Sequence, residues 1–599
     1  MAKKLIDIMD TTFRDGFQSV FGGRVLMEDF FPAVEAAKHA GISHFEFGGG
    51  ARFQSLFFYL NENAFEMMDK FRAIVGPEAN LQTLARGVNT VMLDTGSSEL
   101  IDLHAKMFKK HGTTTIRNFD ALNDVENLIY SGERIKAHGL NHEVVVTMMD
   151  LPPGCKGAHD VAFYEKTLRK ILDSGIAYDS VCFKDASGTS SPHKVYETIS
   201  MAKKLLPEDV HVRLHTHETA GVSVSCYLAA LEAGVDGIDL AASPVSGGTS
   251  QPDILTLLHA TKGTNFDLGG LDVAKILTYE EVLKDCLHDY FIPPEATAVS
   301  PLIPFSPMPG GALTANTQMM RDNDSLDKFP EVIAAMREVV ERGGYGTSVT
   351  PVSQFYWQQA YANVMFGDWN QIAEGYGRMV LGYFGRTPVA PDPEIVKLAS
   401  EKLKLEPTTA TALSLADADE KKSLKYFETM LADEGIELND ENLFIAASCG
   451  DKGITFLKGE AEVNIRKNSD INKGNKEMGG QYTVVVNGTK YNVDVVEGHD
   501  GEVAVTSATP VAAAAPVAAT PAPAAGGVGS VEVHSQTPGN VWKIVANVGD
   551  TLKEGDPIMI LEAMKMEIDI PAPKDGVLKS INVNTNDAVQ DGQLLATMD

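Results

Sequence analysis

From the N-terminus to about residue 265, short β-branched or alternating apolar runs recur, each followed by a longer stretch whose apolar residues return at helical spacing. Eight runs predict strands: LIDIM (5–9), HFEFG (44–48), LQTL (81–84), TTTIRNF (113–119), EVVVTM (143–148), DSVCFK (179–184), HVRLHTH (211–217) and VDGIDLA (235–241). The stretches between them are amphipathic, as in VLMEDFFPAVEAAKHA (25–40). Eight strand–helix units in this length predict an α/β fold, a TIM (β/α)8 barrel over residues 1–265. In such a barrel the chemistry sits on the loops that follow the strands. Asp15 and Gln18 follow the first run, Arg86 the third and Asp120 the fourth, while Lys184 closes the sixth and His215 and His217 the seventh. These seven residues from five segments are expected to meet at one mouth.

Beyond the barrel the pattern changes three times. Residues 266–450 read mostly helical, with stretches such as FPEVIAAMREVVERG, and predict a helical extension packed on the barrel. Residues 451–506 contain short strand signals, with hairpin turn chemistry at VNGTK, and predict a small β element. Residues 507–530 are Ala/Pro/Gly low complexity and read as a linker able to span on the order of 30 to 70 Å. The last segment, 531–599, holds an internal repeat: the unit beginning at Gly539 aligns with that beginning at Gly576, Asp550 with Asp587, and Gly555 with Gly592. Two matching β units joined by a hairpin predict a small pseudo-symmetric β sandwich.

Composition narrows the partners. The chain is 599 residues long with 51 Lys+Arg against 81 Asp+Glu, and the net charge of −30 repels nucleic acid and anionic lipid surfaces. An anionic substrate would need a metal or an arginine to reverse the local field. Five cysteines without CxxC spacing leave neither a disulfide framework nor a cysteine zinc site, and no stretch has the length of a signal peptide or membrane span; a cytoplasmic protein is expected.

Lys565 sits in EAMKME, between the two halves of the repeat. Most lysines are solvated surface residues, but the flanking methionines, the repeat and the upstream linker all suit a swinging arm. His215 and His217 stand two apart on one strand, so both imidazoles face the same side. Such a pair serves core or surface roles about as often as metal binding. With Asp15 at the same mouth, the set suits a divalent metal, zinc or manganese. Lys184 is the odd member, because a cation beside a metal is repulsive; pairing with Asp185 is its plain reading.

The AMKM sequence within a repeated β unit resembles the biotinyl carrier domain, whose central lysine carries biotin through an amide; this assigns Lys565 as the attachment site. Residues 1 to about 320 resemble the carboxyltransferase subunits of pyruvate carboxylase (its B subunit) and oxaloacetate decarboxylase (its alpha subunit) through DTTFRDGFQS (10–19), LNEN (60–63), ARGVN (85–89), NFDALND (118–124), FKDASG (183–188), LHTHETAG (214–221), SGGTSQP (246–252) and MPGGALTAN (308–316). The resemblance implies a metal held by Asp15, a carbamylated Lys184, His215 and His217. It also implies Thr314 as proton shuttle between biotin and the enol, Arg86 and Gln18 as ligands of a 2-oxo acid, and Arg14 as a residue ordering their loop. The implied activity is carboxyl transfer between carboxybiotin and pyruvate or oxaloacetate. The implied partners are a biotin protein ligase and a separate ATP-dependent biotin carboxylase subunit, with a membrane decarboxylase subunit as the alternative and a homo-oligomer expected.

Several positions depart from the pattern. Phe17 stands where relatives have His, Gln54 where they have an acid, Glu218 where Asp is usual, TMMDLPPG follows the fifth run, and Arg52 adds a positive charge expected near the mouth. These differences leave 2-oxoglutarate open as an acceptor. A Claisen-type lyase or synthase, which shares the DTTxRDG opening and the HxH pair, is the rival within the same barrel group, and a carrier scaffold with a decayed barrel is a second.

Overall fold

A computed structural model describes residues 3–323, 325–469, 481–486, 489–494, 508–510 and 531–599 apart from 536–538, 564–565, 586 and 591. Two compact units divide the described chain, the first holding nearly all of residues 1–465 and the second most of 466–599.

In the first unit, strands β1 (Lys4–Asp10), β2 (His44–Gly49), β3 (Asn80–Ala85), β4 (Thr115–Asn118), β5 (Asn141–Thr147), β6 (Ser180–Asp185), β7 (His211–Thr216) and β8 (Gly237–Leu240) pair in parallel and in order. β8 pairs with β1 and β1 with β2, which closes the barrel. All eight expected runs are strands, shifted by at most a few residues at their ends. A ninth, β9 (Phe266–Leu268), adds beside the start of β1 in the region expected to be helical; three residues are too short to leave a period-2 signature.

Alternation decides what fills the barrel. On β7, Val212 and Leu214 are buried among apolar residues, while Arg213 and His215 join buried ion pairs. The same rule brings Arg117 of β4, Glu143 of β5 and Asp239 of β8 into one network: Arg117 reaches Glu143 at 2.5 Å and Asp239 at 2.5 Å, and Arg213 reaches Asp239 at 3.0 Å. TIM-barrel interiors are normally layered with branched aliphatics; this one is ionic.

Above the barrel, helices including Gly310–Asp322, Phe329–Arg342, Val352–Phe366 and Glu374–Val380 build an apolar core around Met336, Tyr356, Trp357 and Tyr376 that also takes in Leu84, Phe119 and Met149 of the barrel. The long helix Asp440–Leu457 runs through the boundary expected at 450, with a kink at Gly450. Its apolar face continues across that position, with Phe444 and Ile445 before it and Ile454 beyond it all buried, so the helical region extends past 450. At the kink the Ser448 carbonyl accepts from Gln54 Nε2 at 2.7 Å, which gives the departure at Gln54 a structural task.

In the second unit, β10 (Gln481–Val486) and β11 (Thr489–Asp494) form an antiparallel hairpin whose two turn residues lie outside the described residues. β12 (Ala508–Pro510) pairs with β11, so strand pairing takes the first residues assigned to the linker; 511–530 lie outside the described residues. The C-terminal strands are β13 (Val531–His534), β14 (Gly539–Ile544), β15 (Thr551–Leu552), β16 (Pro557–Ala563), β17 (Met566–Pro571), β18 (Gly576–Ile581), β19 (Ala588–Val589) and β20 (Leu594–Met598). They form two four-stranded sheets, β13-β20-β18-β15 and β17-β16-β14-β19. The repeat is visible in the hydrogen bonds: Val541 N donates to Asp587 O at 2.9 Å and the equivalent Leu578 N to Asp550 O at 3.0 Å. Lys565 falls between β16 and β17 in sequence and lies outside the described residues. Among the described residues no helix is long and apolar enough to cross a membrane.

Candidate active site

The end of β1 feeds a tight helical turn, Thr12–Gly16, that places Asp15 inside the barrel mouth. Phe13 anchors this turn by packing on Phe17, Phe30, Phe45 and Phe71, with ring centroids 5.6 to 6.4 Å apart. The same cluster explains Phe17, an apolar residue in an aromatic core. Lys184 and His215 are lateral neighbours in the β6–β7 register. Gly188, with φ +66°, lets the following loop pass His217, whose carbonyl a Cβ there would meet at 2.2 Å.

Asp15, His215 and His217 place one ligand atom each within 4.8 Å of one another, all buried. Asp15 Oδ2 lies 3.2 Å from His215 Nε2 and 3.3 Å from His217 Nε2. The rear of each ring is tied: His215 Nδ1 to Asp239 at 2.8 Å and His217 Nδ1 to the Thr249 carbonyl at 2.7 Å. An Nδ1–H donating to those oxygens leaves the Nε2 lone pairs turned towards Asp15, the arrangement that orients histidines for a metal. Lys184 Nζ stands 2.7 Å from His215 Nε2 and 3.6 Å from Asp15 Oδ2. These donors fit a divalent cation in number, softness and burial.

Electrostatics follow from burial. Burial opposes charge on Asp15, yet Arg14, Lys184 and His217 together hold its carboxyl well below the usual range. Burial, aided by Arg14 and Arg117, lowers Lys184. Arg86 is 2% exposed, and burial with the neighbouring Arg14 pulls it down to about 9. Its Nη1 donates to the Val91 and Met92 carbonyls at 2.7 and 3.0 Å, and its Nε has no partner among the described residues. A buried guanidinium held by neutral carbonyls suits an incoming carboxylate.

Arg14 pairs with Glu46 at 2.6 Å and Asp15 at 3.2 Å, so it braces the β1 and β2 loops. Arg14 Nη1 and Gln18 Oε1 both lie close to where a Cβ at Gly50 would stand. Thr314 lies fully buried on the helix Gly310–Asp322, its hydroxyl 3.4 Å from that of Thr249. The helix comes this near because residue 310 is glycine: a Cβ there would be 1.7 Å from the Thr249 carbonyl.

Two expectations are corrected. Asp120 does not face the site; its carboxylate accepts from the amides of Leu122 and Asp124 and from Asn127, closing its own loop. Arg52 is fully buried and donates to the Gly23 and Val25 carbonyls, so it is a loop clasp instead of a mouth charge. Burial raises the Glu218 carboxyl above its ordinary range, and Asp150 of TMMDLPPG pairs with Lys194. Sequence reasoning passed over Gln251, Thr249, Arg117 and Asp239. A charged residue in each of the short strands TIRN and GIDL was the available signal.

Residues 303–494 match the family described as "Conserved carboxylase domain" and 521–598 the one described as "Biotin-requiring enzyme". The B subunit of pyruvate carboxylase from Methanocaldococcus jannaschii is 30% identical over 568 residues, 94% of this chain and 94% of that one. The methylmalonyl-CoA carboxyltransferase 5S subunit of Propionibacterium freudenreichii subsp. shermanii is 29% identical over 457 residues, 76% of this chain and 88% of that one. In fold, the carboxyl transferase domain of Rhizobium etli pyruvate carboxylase, solved with pyruvate, is similar with a TM-score of 0.69 at 24% identity, over 76% of this chain and 77% of that one. With a relative matched along nearly its whole length and a biotin-requiring segment at its C-terminus, the chain belongs to the biotin-dependent carboxyltransferase family that includes the B subunits of pyruvate carboxylase.

Proposed function

We propose that this enzyme transfers a carboxyl group between biotin on Lys565 and pyruvate, as the B subunit of a two-subunit pyruvate carboxylase charged by a separate ATP-dependent biotin carboxylase. The observation that carries the reading is the convergence of Asp15, His215 and His217, with their lone pairs turned inward, in a mouth that also holds the buried Arg86, which donates to backbone carbonyls.

In this reading Asp15, His215, His217 and a carbamylated Lys184 hold the divalent ion. An ammonium beside His215 Nε2 would face that ion, and its conversion to a carbamate replaces a repulsive charge with an anionic ligand. A divalent ion bound by this set supplies Lewis acidity to a carbonyl oxygen. Arg86 pairs with the carboxylate of the 2-oxo acid, and Gln18 donates from its amide to fix the same molecule. Thr314 Oγ1 moves a proton between the substrate methyl carbon and the biotin ureido nitrogen, a role its burial supports by excluding water.

The test incubates purified, avidin-positive protein with oxaloacetate and follows pyruvate release in the wild type and in Lys184→Ala, Thr314→Ala and Lys565→Ala. Release by the wild type, abolished by the two barrel changes and dependent on Lys565, is the expected result. No release by biotinylated wild type would overturn pyruvate and oxaloacetate as the pair.

A further inference from the structure

One buried side chain stands inside the ligand set without a role assigned above. Gln251 follows β8, and its Nε2 lies 2.9 Å from His217 Nε2, 3.1 Å from Asp15 Oδ2 and 3.5 Å from His215 Nε2. It is fully buried. The donors and acceptors close in this arrangement. An amide nitrogen carries two hydrogens; one serves Asp15 and one His217, while Lys184 Nζ serves His215 at 2.7 Å. All three inward lone pairs are thereby satisfied by N–H groups, so three buried acceptors that would otherwise repel one another are held together.

The same arrangement is incompatible with a cation at that point, because the amide hydrogens would face it. The other end of the side chain provides the way out. Gln251 Oε1 accepts from Thr11 Oγ1 at 2.7 Å, and the Leu240 carbonyl lies 2.9 Å from that same hydroxyl. A hydroxyl has one hydrogen and two acceptors within reach, so it can donate to either. If the carboxamide turns over, the Thr11 hydroxyl donates to Leu240 and its oxygen accepts from the Gln251 amide. Oε1 then faces the ligand set. The buried Ser250 hydroxyl, which donates to Oε1 at 3.3 Å, changes roles and accepts from the second amide hydrogen.

We propose that Gln251 is an amide switch of the metal centre: its N–H groups hold Asp15 and His217 together until a divalent cation arrives, and the turned carboxamide then presents its oxygen to that cation. Gln251 is a positioning residue for the ligands in the first state and an oxygen donor in the second. The inference rests on the metal reading proposed above.

The test measures zinc and manganese affinity of the full chain by chelator competition, with thermal unfolding of chelator-stripped and metal-loaded protein, for the wild type, Gln251→Leu and Gln251→Glu. Gln251→Leu removes both functions, and its Kd is expected to rise 10- to 100-fold, the range for groups that orient ligands. Gln251→Glu keeps the oxygen and loses the donors. It is expected to lower the Tm of the stripped protein, because a carboxylate then faces Asp15, while the shift in Tm on adding metal becomes larger than in the wild type. A merely structural glutamine would lower both Tm values alike and leave Kd unchanged; that result overturns the switch while wild-type binding keeps the metal reading. Wild type that binds neither ion overturns both.

Discussion

Between β4 and β8 the barrel buries Arg117, Glu143, Arg213 and Asp239, each at most 2% exposed, whereas the helical extension buries Met336, Tyr356, Trp357 and Tyr376 to the same degree. Equal burial is reached by opposite chemistry. In the extension apolar area leaves water and adds to stability directly, roughly 25 cal/mol per Å². In the barrel each charge must be desolvated, and its partners little more than offset that cost. Stability alone therefore favours the first arrangement, and the second is retained where a function needs fixed charge. Asp239 illustrates the need: it binds both arginines and holds the rear nitrogen of His215.

The contrast can be broken from either side. The largest effect is expected from Asp239→Asn, which leaves Arg117 and Arg213 short of a counter-charge in a dry interior. A loss of about 3–5 kcal/mol is expected in urea unfolding, with weakened metal binding. Met336→Ala in the extension should cost about 3 kcal/mol by opening a cavity, yet leave metal affinity at the wild-type value. If both variants changed metal affinity alike, the two regions would not be separable. Gly310→Ala sits at the join. Its Cβ collides with the Thr249 carbonyl, so the helix bearing Thr314 must move. Transfer should fall about 100-fold for a displacement near 1 Å, with stability lowered by only about 1–3 kcal/mol.

A separate effect is a slope with pH. Burial, with Asp124 nearby, pushes Asp120 up to about 7. As pH rises from about 4 towards 7 the unfolded chain ionises at this residue before the folded one does, so folding loses stability across that window and no more above it. Asp120→Asn cannot ionise, and its stability relative to the wild type should increase over the same interval in urea titrations at fixed ionic strength. A parallel pH dependence in both proteins would remove Asp120 as the cause.

Much of this was legible in the chain. A strand buried on both faces writes a short apolar run, and a barrel repeats that run eight times at helix-sized intervals. HxH at the end of β7 placed His215 and His217 on one side because side chains alternate. The repeat around Lys565 gave the sandwich, since each half contributes equivalent hydrogen bonds. Asp120 and Arg52 were misplaced because a polar residue after a strand looks the same whether it serves a ligand or its own loop; the partners that separate the cases, such as the Leu122 amide or the Gly23 carbonyl, are fixed only by the folded path. The region after 265 was read as helical because β9 is too short to show a period.

Sequence by itself determined the eight barrel strands and which residue types stand at their ends, because periodicity and turn chemistry act over a few neighbouring residues. Only the tertiary structure decided that Gln251, 236 residues from Asp15, donates to its carboxylate, that Arg86 is buried against carbonyls, and that Glu46 holds Arg14 while Asp239 holds the rear of His215. Those facts depend on closing the barrel, and distances across a closed barrel are set by strand order and register, which no local stretch of the chain encodes alone.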